Sequence, residues 1–197
     1  MKPDLILIGG GGHCKACIDV IEMQAGYRIV GILDTAAKVG RSILGHAIIG
    51  TDDDLKALVS KRCQILITLG QIPSPERRIA LYQKAKQLGA ELPIIISPLA
   101  HVSRHAQIGE GSVVMHQALV NAGAVVGCNC IINNKALVEH DSVVGDHCHI
   151  ATGAIVNGGV KVGDETFVGS GSVLRENITI GSGRVLPAGQ RFMTDVD

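Results

Sequence analysis

Aromatic side chains are scarce in this chain. Only 2% of its 197 residues are aromatic, and tryptophan is absent. Because rings usually contribute much of a mixed globular core, their scarcity argues against a core of that kind. Yet the chain is 46% hydrophobic and contains 25 glycines. Repetitive stacking of small aliphatic side chains would account for both observations.

The chain also lacks an excess of one charge, since 18 Lys and Arg residues balance 18 Asp and Glu residues. No overall field attracts nucleic acid or anionic lipid, so neither is expected as a partner. The short apolar run at residues 5–8 stops at a glycine cluster and fits neither a signal peptide nor a membrane span. We therefore expect a cytoplasmic protein whose six cysteines are reduced thiols.

Residues 1–97 alternate strand-like and helix-like stretches. Strands are predicted at residues 5–8, 28–33, 64–69 and 92–96. Helices are predicted at residues 13–24 and 74–88, and the polar run at residues 51–54 is expected to cap a further helix that extends to about residue 61. The third helix is expected to open at Ser74, with Pro75 at its first position. Such alternation predicts an α/β domain, in which a small Rossmann-like parallel sheet is covered by helices.

Residues 98–197 follow a six-residue repeat instead. From Val102, every sixth residue is Val, Ile or Leu over fifteen consecutive hexads, and a mostly small residue stands four places after each. Three hexads should close one triangular turn, so that residues eighteen apart stack. The repeat predicts an all-β domain, a left-handed parallel β-helix. Glycine or asparagine often follows the aliphatic residue, as at Gly109, and we expect left-handed backbone there.

Several of these features together resemble the NeuD/PglD family of sugar acetyltransferases, over essentially the whole chain. They are the run from Gly9 to Lys15 with Asp19, the strand ends at Asp34 and Leu69-Gly70, and residues 138–141 within the repeats. The resemblance implies acetyl-CoA as donor and the amine of a nucleotide-linked amino sugar as acceptor. It also implies a homotrimer with the acetyl-CoA sites between subunits.

Two adjacent residues of the repeat are candidates for catalysis. Acetyl transfer to an amine needs a base that accepts the proton and donors that stabilise the oxyanion. His140 occupies the third place of its hexad, out of phase with both inward positions, and is therefore expected outside the coil. The family resemblance assigns His140 as the general base and Asp141 as the acidic residue that makes the imidazole more basic. The alternative for His140 is a solvated surface histidine.

The resemblance also points to residues that bind acetyl-CoA. His149 matches a family residue that contacts the thioester region, although a histidine packed at a coil corner is an equal alternative. In the run Asn157-Gly158-Gly159, the missing side chains of the glycines would let the pantetheine arm lie against the coil and would expose backbone N–H groups. A tight corner is the alternative there.

A glycine loop lies between the first strand and the first helix, where free N–H groups bind phosphate. It does not complete a dinucleotide fingerprint, because the third glycine would fall on Cys14 or Lys15. The loop fits the family's nucleotide-sugar site, with His13 near the diphosphate or sugar and Asp34 accepting from a uracil or ribose. The alternative for Asp34 is an ordinary turn residue at the end of a strand. The expected substrate-binding residues are Gly11, Gly12, His13, Asp34 and Gly70.

No metal is expected, although cysteines and histidines cluster between residues 128 and 149. Eighteen-residue stacking places Cys130 and Cys148 inside the coil as vertical neighbours, so the possible ligands point apart. The leading hypothesis is acetyl-CoA-dependent N-acetylation of a UDP-linked 4-amino-dideoxy sugar. Two alternatives stay open: O-acetylation of sialic acid or another sugar hydroxyl, and a non-enzymatic trimeric scaffold that binds a nucleotide sugar.

Overall fold

A computed structural model describes residues 2–71 and 74–197. The chain divides into two units, of which the first comprises Met1–Gly70 and Glu76–Pro93 and the second Gln71–Pro75 and Ile94–Asp197. The division thus lies before residue 97, because the strand Ile95–Ile96 pairs with a strand of the repeat and not with the first sheet. No helix in the described ranges is long and apolar enough to cross a membrane.

The first unit is a five-stranded sheet with helices, in the strand order β3-β4-β2-β1-β5. The β3 and β4 strands pair antiparallel, and the other neighbours pair parallel. The strands are β1 (Asp4–Ile8), β2 (Arg28–Leu33), β3 (Ser42–Ile43), β4 (His46–Gly50) and β5 (Gln64–Ile67), and the helices are α1 (Gly12–Gln24), α2 (Leu55–Ser60) and α3 (Glu76–Gln87). Short 3₁₀ turns lie at Ala36–Lys38 and Asp52–Asp54.

The predicted parallel sheet is therefore confirmed, with three local corrections. The hairpin formed by β3 and β4 was missed. The α3 helix begins at Glu76, so Pro75 precedes it instead of occupying its first position. The strand predicted at residues 92–96 shortens to Ile95–Ile96 and belongs to the second unit. A capping box of Thr51 and Asp54 starts the turn that leads into α2, as the polar run at residues 51–54 indicated.

The second unit is the predicted left-handed parallel β-helix. Two-residue strands line its three sheets, and each strand pairs in parallel with the one eighteen residues on, as in Val126↔Val144 and Ile132↔Ile150. The strands are β6 (Ile95–Ile96), β7 (His101–Val102), β8 (Gln107–Ile108), β9 (Val113–Val114), β10 (Leu119–Val120), β11 (Val125–Val126), β12 (Ile131–Ile132), β13 (Leu137–Val138), β14 (Val143–Val144), β15 (His149–Ile150), β16 (Ile155–Val156), β17 (Lys161–Val162), β18 (Phe167–Val168), β19 (Val173–Leu174), β20 (Thr179–Ile180), β21 (Val185–Leu186) and β22 (Arg191–Phe192).

The interior of the coil contains the aliphatic residue of each hexad and the small residue four places later, as predicted. One inward column places Ser112, Cys130, Cys148 and Thr166 above one another, all buried. Each side chain donates to a carbonyl of the next turn, for example the Cys130 thiol to Gly145 O at 3.0 Å and the Cys148 thiol to Gly163 O at 3.1 Å. Small hydroxyl and thiol groups therefore satisfy the backbone of the coil from inside.

The prediction of left-handed backbone directly after the aliphatic residue is wrong. Positive φ falls two places later, at the fourth position of the hexad, as at Gly123 (φ +75°) and Asp141 (φ +60°). Gly109, at the second position, is needed for a different reason: an added Cβ would lie 2.6 Å from Cys128 N and from Gly127 C of the next turn. Close stacking of turns, and not a left-handed dihedral, selects glycine there.

Candidate active site

His140 and Asp141 form an exposed pair at a corner of the coil. Their side chains are 63% and 75% exposed, as the phase of His140 in its hexad predicted. His140 Nδ1 lies 2.9 Å from Asp141 Oδ2, so Nδ1 carries the proton that is donated to the carboxylate. The neutral ring then has an unprotonated Nε2 that can accept a proton. The structure thus brings together the two residues predicted as base and acid.

The pKa of His140 is raised above its ordinary value. The main cause is the hydrogen bond to Asp141, which stabilises the imidazolium, while partial loss of solvation acts in the opposite direction. The charges of Asp141 and Glu139 add smaller upward contributions. Glu139 is held in place because its Oε2 accepts from Asn121 Nδ2 at 2.6 Å and from the His140 N–H at 3.2 Å.

The corner formed by residues 157–159 lies one turn after the pair. Asn157 is committed to the coil, with Nδ2 donating to Leu174 O at 2.8 Å. The predicted exposure of backbone N–H groups is wrong for two of the three residues, because the Asn157 N–H donates to Leu174 O and the Gly159 N–H to His140 O. The N–H of Gly158 has no hydrogen-bond acceptor in the described ranges. Of the three N–H groups, it alone could donate to a ligand without breaking one of these bonds.

His149 is held by contacts with residues of the second unit. Its side chain is buried, with 5% of the residue exposed, and lies edge-to-face against Phe167 with ring centroids 5.1 Å apart. Nδ1 lies 3.0 Å from Gln71 O and Nε2 3.0 Å from Asn133 Nδ2, so the ring is neutral, donates from Nδ1 and accepts at Nε2. The contact of this residue with acetyl-CoA stays a prediction.

The glycine loop of the first unit has the geometry of an anion site. Gly11 precedes α1, no side chain caps this helix, and no acidic residue lies in its first turn. The positions where Cβ atoms of Gly11 and Gly12 would lie are open, with no atom within 4 Å. The 13-residue helix therefore presents its first N–H groups and the positive end of its dipole towards open space.

His13 and Gly70 lie beside this loop. The Cys17 thiol lies within hydrogen-bonding distance of the His13 ring, 3.4 Å from Nε2, and burial raises the pKa of that thiol to about 12, so it stays protonated. A Cβ added to Gly70 would lie 3.6 Å from His13 Cβ. Both predicted residues are therefore neighbours at the amino end of α1.

Asp34 ties the loop to the end of β2. Its Oδ2 accepts from the Gly10 N–H at 2.7 Å and from Lys38 Nζ at 2.9 Å, and its Oδ1 accepts from the Thr35 N–H at 2.6 Å. Burial acts to raise the pKa of this carboxyl, but these hydrogen bonds outweigh it and lower the pKa. The ionised carboxylate thus fixes the shape of the loop as well as lining a cavity.

That cavity has a volume of about 470 Å³ and lies at the carboxyl ends of β1, β2 and β4. Gly9 and Asp34, which the sequence indicated, lie in its wall. Its other polar wall residues were not predicted from the sequence, and they are Thr35, Thr51, Asp52, Asp53, Arg77 and Lys84. Arg77 forms an ion pair with Asp52, and Lys84 Nζ donates to Asp52 O at 2.7 Å. The spacing of Arg77 and Lys84, two turns apart on α3, could have indicated a shared basic face. Thr51, Asp52 and Asp53 follow β4, and because this strand was not predicted, their position at the carboxyl edge of the sheet could not be predicted either.

Two further findings concern the clustered cysteines. Cys130 and Cys148 lie inside the coil, as predicted, and none of the six cysteines, all of which lie in the described ranges, forms a disulfide. Among the described residues, no group of three or more His, Cys, Asp or Glu side chains is arranged to hold a metal ion.

Comparison with known proteins places these features in one family. The PglD N-terminal domain matches residues 4–85. The acetyltransferase domain of PglB from Neisseria gonorrhoeae FA1090, in complex with acetyl coenzyme A, is 34% identical with a TM-score of 0.93, over 100% of this chain and 93% of that one. PerB from Caulobacter crescentus, in complex with CoA and GDP-perosamine, is 32% identical with a TM-score of 0.91, over 98% and 90%.

The fold alone is also shared with WeeI from Acinetobacter baumannii AYE, which is 19% identical with a TM-score of 0.67 over 96% of both chains. No curated protein matches the chain. Since its similarity to the PglB domain exceeds 30% identity over nearly the full length of both chains, the chain belongs to the NeuD/PglD family of sugar acetyltransferases.

Proposed function

We propose that the protein transfers the acetyl group of acetyl-CoA to the amine of a nucleotide-linked 4-amino-dideoxy sugar. The observation that carries the proposal is the exposed His140, whose Nδ1 is bonded to Asp141 and whose Nε2 can accept a proton. The similar proteins support the reaction class, since one contains acetyl coenzyme A and another CoA with GDP-perosamine.

In the proposed reaction, the neutral amine attacks the thioester carbonyl and a C–N bond forms. His140 Nε2 accepts the proton from nitrogen as the oxyanion develops, and Asp141 stabilises the imidazolium. The C–S bond then breaks, and the CoA thiolate takes the proton back. The N–H of Gly158, which has no hydrogen-bond partner among the described residues, is our candidate donor to the oxyanion. The pantetheine arm would lie over Asn157–Gly159.

The first unit is proposed to bind the nucleotide part of the acceptor. The uncapped amino end of α1 supplies N–H groups for the diphosphate, and the cavity lined by Asp34, Arg77 and Lys84 would receive the nucleoside. Uridine is the nucleoside that the resemblance implies, with Asp34 accepting from its N–H or hydroxyl groups.

We also propose that the working unit is a homotrimer. An outward stripe on the sheet containing β10, β13, β16 and β19 is aliphatic and half-buried, and consists of Leu119, Leu137, Ile155 and Val173. Partly exposed apolar rows of this length are typical of subunit interfaces. Acetyl-CoA sites between subunits would follow from an interface beside the His140 corner.

The acceptor is tested by measuring CoA release with UDP-linked and GDP-linked amino sugars and with free sialic acid. Turnover with a UDP-linked 4-amino sugar is expected, and the product should be an amide stable to mild base. Turnover on free sialic acid alone, with a base-labile ester as product, would replace the proposal with O-acetylation. Titration that finds binding of nucleotide sugar but none of acetyl-CoA would support the scaffold function.

A further inference from the structure

Gly158 differs from every other residue at its position in the repeat. Counting each hexad from its aliphatic residue, His140 and Gly158 both occupy the third place, one turn apart. Among the fifteen hexads, Gly158 is the one glycine at this place and the one buried residue there. The third place elsewhere holds exposed or half-exposed side chains, so the geometry of the coil does not itself require glycine.

The His140 ring occupies the space that a side chain of Gly158 would fill. A Cβ built on Gly158 would lie 2.8 Å from both Cε1 and Nε2 of His140. Real Cβ atoms do not approach other atoms so closely, so a side chain at this position would displace the ring. The φ of Gly158 lies outside the left-handed region, so its backbone would accept alanine without strain.

We propose that Gly158 is a positioning residue for His140. Its missing side chain leaves the room in which the ring lies along the coil with Nδ1 on Asp141 and Nε2 turned away from that carboxylate. This inference rests on the proposed function of His140 and deepens it, because a base shifted by about 1 Å can lose up to about 10²-fold in rate.

Gly158→Ala is therefore expected to act through the ring. The methyl group would push the edge bearing Nε2 aside and weaken the hydrogen bond to Asp141, which lowers the pKa of His140. We expect kcat to fall roughly 10- to 100-fold, with a much smaller change in KM for the nucleotide sugar. Ser182→Thr is the matched control, because it also adds one methyl group at the third place of a hexad, remote from His140.

The deciding experiment is a double-mutant cycle in which NMR measures the pKa of His140 in the free enzyme. Gly158→Ala should lower this pKa in the unchanged protein but not in the Asp141→Asn background, where the hydrogen bond is already altered. An unchanged pKa of His140, even with a lower kcat, would overturn the proposal, and so would an equal pKa shift in both backgrounds.

Two further outcomes keep this inference separate from the function. If the cycle shows coupling while His140→Ala keeps full turnover, the positioning stands and the base assignment fails. A crystal structure of the unchanged protein also tests the inference, even if the Gly158→Ala variant does not fold. It should show the His140 ring in van der Waals contact with Gly158, and a ring turned out to solvent would contradict the inference.

Discussion

At the scale of single residues, one carboxylate is expected to set the pH range in which His140 serves as the proposed base. The imidazolium form is stabilised by Asp141, so the pKa of His140 is raised, and the ring becomes a base only above that pKa. Activity should therefore be lost as the pH falls through the raised value. Because both side chains are mostly exposed, salt will screen part of this coupling.

Asp141→Asn should move the acidic limb of the pH profile of kcat/KM to lower pH, since it removes the main cause of the raised pKa. The plateau at high pH should also drop, because the ring becomes a weaker base. Glu139→Gln is the matched control and should shift the limb less, since Glu139 contributes only a smaller charge effect. A limb that stays at the same pH in Asp141→Asn would contradict the role of this pair.

The sequence predicted these residues to different degrees. The hexad phase alone placed His140 outside and Cys130 inside, because each side chain in a regular coil has one direction. Phase could not predict that His149 is buried, because its partner Gln71 lies 78 residues away along the chain. Nor could it predict the contact of the His140 ring with Gly158, which depends on the rotamer of the ring.

At the scale of elements, the repeat was predicted almost completely and the first unit less so. A hexad repeats one local environment many times, so a single pattern fixes every strand and its register. The β3–β4 hairpin was missed because its turn carries an unfavourable residue. Leu44 and Gly45 both have positive φ (+47° and +86°), a combination typical of type I′ turns, for which Asn-Gly is the usual sequence.

Leu44→Asn should therefore stabilise the first unit by about 1 kcal/mol, because asparagine adopts left-handed backbone at less cost than leucine. Leu44 is 58% exposed, so little packing is lost. Chemical denaturation with urea measures the gain. Leu44→Ala, which also removes the exposed leucine side chain but keeps the unfavourable dihedral, should show no gain, and equal stability of the two variants would refute this explanation.

At the scale of the whole molecule, the aliphatic stripe on the coil carries the proposal of a trimer. Leu137→Lys places a charge at the middle of the stripe, where burial in an interface would cost several kcal/mol. Light scattering should then report a monomer, whereas Lys56→Glu on the exposed face of α2 should leave the trimer intact. A Leu137→Lys protein that stays trimeric would place the interface on another face.

The oligomer could not be derived from the hexad pattern, because the pattern specifies what lies inside the coil and leaves the outward positions unconstrained. Outward aliphatic residues such as Leu119 and Ile155 stand next to inward ones in the sequence, and only the register of the sheet aligns them into a stripe. The acceptor likewise depends on residues from separate elements of the first unit.

Turnover of the His140→Ala variant tests the central claim most directly. With acetyl-CoA and the preferred amino sugar, kcat should fall roughly 10²- to 10⁴-fold, while thermal stability and oligomeric state stay unchanged. His105→Ala, another exposed histidine of the coil, should keep the activity of the unchanged protein. Unchanged turnover in a folded His140→Ala protein would contradict the assignment of His140 as the base.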